Sequence, residues 1–200
     1  MAYNPKKVYF SNVNAIIAPT VDDDESLGYE AGSLWVDTVA TEAYRCVDAT
    51  GGAAVWRLDT LDGSRGSMYI DSTAETVIVT TDVPVKINAT SYTAENLVEF
   101  TESVDGRLRY DGLFTRVFDV SMAISMTGGS NDVYSIYVAK NGSIIASTRQ
   151  QRKLGTGSDV GAMGVVGSVS LDTNDYVEIF IENNTATDNV TAENMYVNVS

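Results

Sequence analysis

The feature that most restricts what this chain can fold into is an alternation of apolar and polar residues with a period of two. Val120, Met122, Ile124 and Met126 fall on one side of an extended stretch, with Asp119, Ser121, Ala123 and Ser125 on the other. Successive side chains of a strand point to opposite faces, so this is the signature of a half-buried strand. Val177, Ile179 and Ile181 alternate in the same way with Tyr176, Glu178, Phe180 and Glu182, and Met195, Val197 and Val199 repeat the pattern near the C-terminus. No stretch carries apolar residues at i, i+3, i+4 and i+7 between caps, so helices are not expected. Asn141-Gly142, between apolar runs at 134–139 and 143–147, supplies the two positive-φ positions of a tight hairpin turn. Pro5, Pro19 and Pro84 interrupt none of these runs.

The predicted fold class is therefore all-β. Strands are expected at 67–71, 76–80, 96–101, 115–127, 133–140, 143–149, 164–171 and 176–182, with a ninth at 194–199; the short first one is read as an edge addition. About eight strands is the number in a jelly roll. No repeat of 20–50 residues is present, which argues against solenoids and propellers. A polar, glycine-rich break at 61–67 divides the 200 residues. The expected organisation is an N-terminal arm at 1–19, a small three-stranded β module at 20–62 and an antiparallel jelly-roll β-sandwich at 66–200.

Charge and composition remove whole classes of chemistry. Thirteen Lys+Arg against 27 Asp+Glu leave a formal net charge of −14. That balance disfavours nucleic acid, which needs clustered positive charge, and an anionic membrane surface for the same reason. There is no histidine, which removes Ser-His-Asp and Cys-His nucleophile systems and His-ligated zinc. The single cysteine, Cys46, excludes an intramolecular disulfide and reads as a small buried apolar residue. No apolar run reaches the length of a secretory signal or a membrane span, so a soluble chain made in a cytoplasm-like compartment is expected.

Few motifs promise chemistry. Asp22-Asp23-Asp24-Glu25 is the densest acidic run, but it lacks the spacing and central glycine of an EF-hand loop and reads as a solvated loop. The glycine-rich stretch 155–164 leads into a strand rather than a helix, so it reads as a crossing loop and not a phosphate cradle. Asp172-Thr173-Asn174-Asp175 reads as a hairpin turn. Paired carboxylates for glycoside hydrolysis would need a cleft, which residue order does not show. The basic run 149–153 reads as a solvated hairpin end; the sharper alternative is pairing with acids of a neighbouring subunit.

The most informative feature is a surplus of apolar surface. A two-layer sandwich needs one apolar face per strand, yet Tyr176 and Phe180 stand opposite the aliphatic face of their strand and Tyr196 opposite that of the last one. Rings on the nominally wet face predict a subunit contact through Tyr176, Phe180 and Tyr196.

Two stretches carry a resemblance. The first is Gly28-Tyr29-Glu30-Ala31-Gly32-Ser33-Leu34-Trp35-Val36-Asp37-Thr38, followed by Tyr44-Arg45-Cys46-Val47-Asp48 and the segment ending Ala53-Ala54-Val55-Trp56. It resembles a small β module of bacteriophage fibre and virion structural proteins, with Trp35, Tyr44 and Trp56 as its aromatic core. The second runs from Gly167-Ser168-Val169-Ser170-Leu171 through Tyr176-Val177-Glu178-Ile179 to the closing Met195-Tyr196-Val197-Asn198-Val199. It resembles the tumour-necrosis-factor-like jelly roll used in trimeric phage fibres and capsid decorations. The resemblance implies a homotrimeric, non-enzymatic virion protein, a capsid decoration or head fibre, with no catalytic residue, cofactor or metal to carry over. It would be assembled in the host cytoplasm and displayed on the exterior of the capsid, or on the tail. Its expected partner is another virion protein, the major capsid protein first. Lys6 and Lys7, basic residues in an acidic chain, are the expected particle-attachment residues. The rival readings are a tail-fibre tip whose loops at 128–132, 153–163 and 183–193 bind host surface glycan, and a carbohydrate-active enzyme on the same sandwich.

Overall fold

A computed structural model describes residues 10–59, 63–102, 106–112, 115–157 and 159–200. The chain forms two compact units, 1–62 and 63–200. Lys6 and Lys7 lie outside the described residues.

The first unit is a four-stranded sheet in the order β1 (Asn12–Ala15), β2 (Leu34–Asp37), β3 (Glu42–Asp48), β4 (Val55–Leu58). The three expected strands are β2 to β4, paired antiparallel. The fourth comes from the segment read as an arm: β1 pairs parallel with β2, placing Asn12 opposite Trp35 and Ala15 opposite Asp37. Register explains the core. Trp35 is opposite Tyr44 and Cys46 opposite Trp56, and in-register partners share a face. Trp35 is buried with Tyr29 and Ala15, and Tyr44 and Trp56 pack against them. Trp35 and Trp56 meet edge to face at 5.7 Å, with Tyr29 at 5.8 and 5.1 Å from the two. Each indole N–H donates to a backbone carbonyl, Trp35 to Ile17 and Trp56 to Asp23, both at 2.8 Å. Tyr29 is the ring whose role the residue order did not disclose.

The second unit is a two-sheet antiparallel sandwich of the jelly-roll kind. Its strands are β5 (Arg65–Thr73), β6 (Glu75–Thr76), β7 (Val85–Lys86), β8 (Ala89–Val98), β9 (Phe100–Glu102), β10 (Leu108–Tyr110), β11 (Arg116–Thr127), β12 (Val133–Lys140), β13 (Ser143–Ile144), β14 (Gln150–Lys153), β15 (Gly161–Leu171), β16 (Tyr176–Asn183) and β17 (Val190–Val199). One sheet runs β15-β11-β17-β5-β8, with β6 also on β17. The other runs β13-β12-β16-β10-β9, with β14 also on β12 and β7 on β16. Val120, Met122, Ile124 and Met126 from the first sheet and Ile136, Val138, Val177, Ile179 and Ile181 from the second meet in one buried core. A cluster of Phe100, Tyr110 and Phe118, with centroids 5.0–5.3 Å apart, fills part of the same core.

Several expectations are corrected. The first strand of this unit is not an edge: β5 lies between β17 and β8. The expected strand at 143–149 is only Ser143–Ile144, because a 3-10 turn at Ala146–Thr148 follows and the edge position passes to β14. The hairpin turn at Asn141-Gly142 is present, with φ of 51° and 77°. The run at 76–80 alternates but leaves the ladder after Thr76, since the N–H of Ile78 is taken by the side-chain oxygen of Asn189. The segment 172–175 joins strands of opposite sheets, so it is a crossing between layers and not a hairpin. Asp175 there accepts the Asp172 N–H and pairs with Lys140 at 2.6 Å, which fixes the crossing to β12. The glycine-rich stretch read as a crossing loop at 155–164 is so only in part: β14 and β15 do lie in opposite sheets, but residues 161–164 already belong to β15.

Candidate interaction surfaces

The polar outer face of the β15-β11-β17-β5-β8 sheet is built from small residues. Ser121, Ala123 and Ser125 of β11 lie between Ala162, Gly164 and Val166 of β15 and Asn194, Tyr196 and Asn198 of β17. One row reads Tyr69, Tyr196, Ala123, Gly164 across four strands. No charged residue occurs within 121–125, 162–166 or 194–198. Tyr196 is 40% exposed and Val166 77%. Since Ala123 and Gly164 project almost nothing, shallow grooves of about 430 and 520 Å³ run beside the Tyr196 ring. A Cβ at Gly164 would meet the carbonyl oxygen of Met122 at 3.1 Å, so close backbone approach helps to explain the glycine.

Tyr176 and Phe180 sit on the other side of the molecule. They are on β16, in the opposite sheet from Tyr196. The three predicted interface rings therefore do not form one surface. Phe180 and Tyr176 are half-buried by their own chain: Tyr137 and Lys86 flank Phe180 in register, and the Arg107 guanidinium lies 4.6 Å above the Tyr176 ring. Of the three rings Tyr196 is the most exposed.

This second face is polar in an unusual order. Glu178 is 1% exposed and accepts a hydrogen bond from Arg107 Nε at 2.7 Å, with Lys86 Nζ at 4.0 Å. Glu182, also buried, accepts from the Tyr137 hydroxyl at 2.6 Å and from Asn184 at 2.8 Å, and lies 3.5 Å from Arg149. Pairing with Glu178 holds the Arg107 pKa above its ordinary value, whereas burial and the Glu182 carboxylate raise that of Tyr137. The basic run at 149–153 is solvated, as read, but it forms an edge strand and not a hairpin end. Arg149 bonds Ser135 at 3.1 Å within its own chain, and β14 is a paired edge strand.

The remaining candidates resolve into structure. Asp24 caps the short 3-10 turn Glu25–Leu27, accepting from the Ser26 and Gly52 N–H groups at 2.8 and 2.6 Å; the Ser26 hydroxyl and these two N–H groups lower its pKa. Asp23 accepts from Thr20 at 2.7 Å. Burial raises the Cys46 thiol pKa, and its Sγ lies 3.3 Å from the Asp48 carbonyl, which suits packing and not reactivity. Among the described residues no group of three or more Asp, Glu or Cys converges as a metal site. The loops 128–132, 153–157 and 184–189 meet at one end of the sandwich, where Asn131 N–H reaches Gly155 and Asn184 N–H reaches Val133. The segment 77–83, part of which was expected as a strand at 76–80, joins them through Asn189 and Ala186, exposing Val77, Val79 and Val83.

No family model and no curated protein sequence matches the chain. Solved structures with a similar backbone include murine APRIL at pH 5.0, with 10% identity over 68% of this chain and 99% of that one and a TM-score of 0.46. Eiger TNF from S. frugiperda has 13% identity, covers 68% and 90%, and scores 0.40. The globular domain of zebrafish complement 1qA has 13% identity, covers 68% and 95%, and scores 0.34. The structural neighbours are thus TNF-like and C1q-like jelly-roll β-sandwiches.

Proposed function

We propose that the chain is a structural protein of a bacteriophage virion, a homotrimer whose sandwich associates through the outer face of β11, β15 and β17, and whose N-terminal unit attaches it to the particle. The observation that carries this reading is the uncharged, small-residue face around Tyr196. A strand face meant for water carries charge, whereas this one exposes Val166 and a tyrosine over alanine and glycine. Withdrawing an exposed valine from water contributes roughly 1.5–3 kcal/mol, and small neighbours let a second backbone approach closely. In a threefold arrangement the contact is heterologous, so Tyr196 meets a different patch of the next copy.

Attachment through the N-terminal unit is supported by its surface. Of the nineteen large apolar side chains exposed among the described residues, ten lie in 10–59, including Val13, Ile16, Ile17 and Val39. A quarter of the chain thus carries half of these exposed apolar side chains, which favours a docking role. The strong negative charge suits a soluble exterior that resists adhesion to nucleic acid and membrane. The test is binding of purified protein to parent particles that lack it, followed by electron cryo-microscopy. The full chain should decorate the particles, and a chain lacking residues 1–62 should stay folded and trimeric but not bind. Binding by the truncated chain would refute attachment through this unit, and failure of the full chain to bind would refute the virion role.

A further inference from the structure

We infer that the outer face of β12, β16, β7 and β10 is a binding face for acidic polysaccharide, taking a uronate-bearing sugar on Phe180 with its carboxylate on Arg107. This goes beyond the virion reading and does not depend on the oligomeric state.

The inference begins with depth. In a chain of net charge −14 the two carboxylates of β16 on this face, Glu178 and Glu182, lie beneath its cations, whereas Asp111 and Asp82, bonded to Arg109 and Asn184, stay partly exposed. Side-chain exposure is 1% for Glu178 and 6% for Glu182, but 32% for Arg107 and 45% for Arg149. A ligand approaching from water therefore meets guanidinium and ammonium groups first. The carboxylates beneath fix those cations in place, which removes much of the rotamer entropy that loose surface side chains lose on binding. Arg107 commits Nε to Glu178, while no hydrogen bond from its two terminal nitrogens is seen among the described residues. That planar pair matches a carboxylate bidentately.

Phe180 supplies the second half of the recognition. It is half-exposed, in one row with buried Tyr137 and with Lys86, and Tyr176, whose ring lies under the Arg107 guanidinium, precedes it by four residues on the same strand. The Phe180 face offers an apolar floor for the C–H side of a pyranose. A further sign is Glu178 Oε2, a buried carboxylate oxygen with no hydrogen-bond partner among the described residues. An orphaned acceptor of this kind is costly, and it sits between the two rings, where a sugar hydroxyl that shifts Arg107 or Tyr176 slightly would satisfy it. An acidic peptide would use the cations but leave the flat rings and this acceptor unused.

The test is isothermal titration calorimetry of the full chain with a galacturonate oligomer, a cello-oligosaccharide of matched length and poly-glutamate. The galacturonate oligomer should bind, more weakly as salt rises, and the other two should not. Phe180→Leu keeps apolar volume and removes the flat ring; Arg107→Lys keeps the charge above Glu178 and removes the fork. Each should weaken binding roughly threefold to tenfold, with circular dichroism and melting unchanged, while Arg45→Gln on the other unit leaves it intact. Absence of galacturonate binding, equal binding of the neutral oligomer or of poly-glutamate, or galacturonate binding indifferent to both variants would each overturn the inference.

Discussion

Tyr134 shows how a single side chain organises this sandwich. It is fully buried, and its hydroxyl accepts the Gly129 N–H at 2.9 Å while facing the carbonyls of Asp188 and Asn189 at 3.2 and 3.3 Å. One phenol thus ties the β11–β12 loop to the β16–β17 loop, and burial pushes its pKa up, so it remains a donor throughout the physiological range. Tyr134→Phe keeps the ring and orphans these partners. It should lower stability by about 1–2 kcal/mol in urea titration, with hydrogen exchange accelerating first at 128–132 and 184–189. An unchanged urea midpoint would show that the tether is idle. The alternation of Tyr134 with Ile136 and Val138 places its ring in the core from residue order alone. The destination of its hydroxyl was not legible, because two of its three partners, the Asp188 and Asn189 carbonyls, lie more than fifty residues away in sequence. The same holds for Phe180: alternation assigns it to the outer face, but its flanking by Tyr137 and Lys86 depends on a register that only pairing reveals.

At the scale of elements, long strands with strict alternation were read well. β11 was expected at 115–127 and runs Arg116–Thr127, and β16 at 176–182 runs Tyr176–Asn183. Short ones were not. β10 has three residues, and its apolar Leu108 and Tyr110 flank a single arginine, too little pattern to separate from a loop. The turn at 172–175 has the residues of a hairpin, but local turn chemistry says nothing about whether the chain returns to the same sheet or crosses to the other. That crossing is what places Tyr176 and Phe180 on one side of the molecule and Tyr196 on the other. The three-strand face around Ala123 has an elemental consequence of its own. Ala123→Glu puts a charge in the middle of the Tyr69–Tyr196–Ala123–Gly164 row. The lone sandwich has solvent there, so its fold should survive, with circular dichroism unaltered, while self-association falls at least tenfold, since burying an unpaired carboxylate costs several kcal/mol. Association unaffected by this substitution would move the contact elsewhere.

Across the whole molecule, a small aromatic-cored sheet precedes a large sandwich in one chain, and each unit owns its core. Fold class was legible because period-two patterning without helical patterning leaves few alternatives. The parallel β1 strand and the true centre of the second unit's first sheet were not, since both follow from long-range pairing. The proposed roles rest on two surfaces: the uncharged row of Tyr69, Tyr196, Ala123 and Gly164, and the buried Glu178 and Glu182 beneath the cations of the opposite sheet. The central claim concerns three copies joined through the first of these faces, and the direct measurement is the mass of the full chain in solution by sedimentation equilibrium at micromolar concentration. The chain mass is 21.5 kDa. A species of three times that mass is predicted, and a single species at the chain mass would contradict the account.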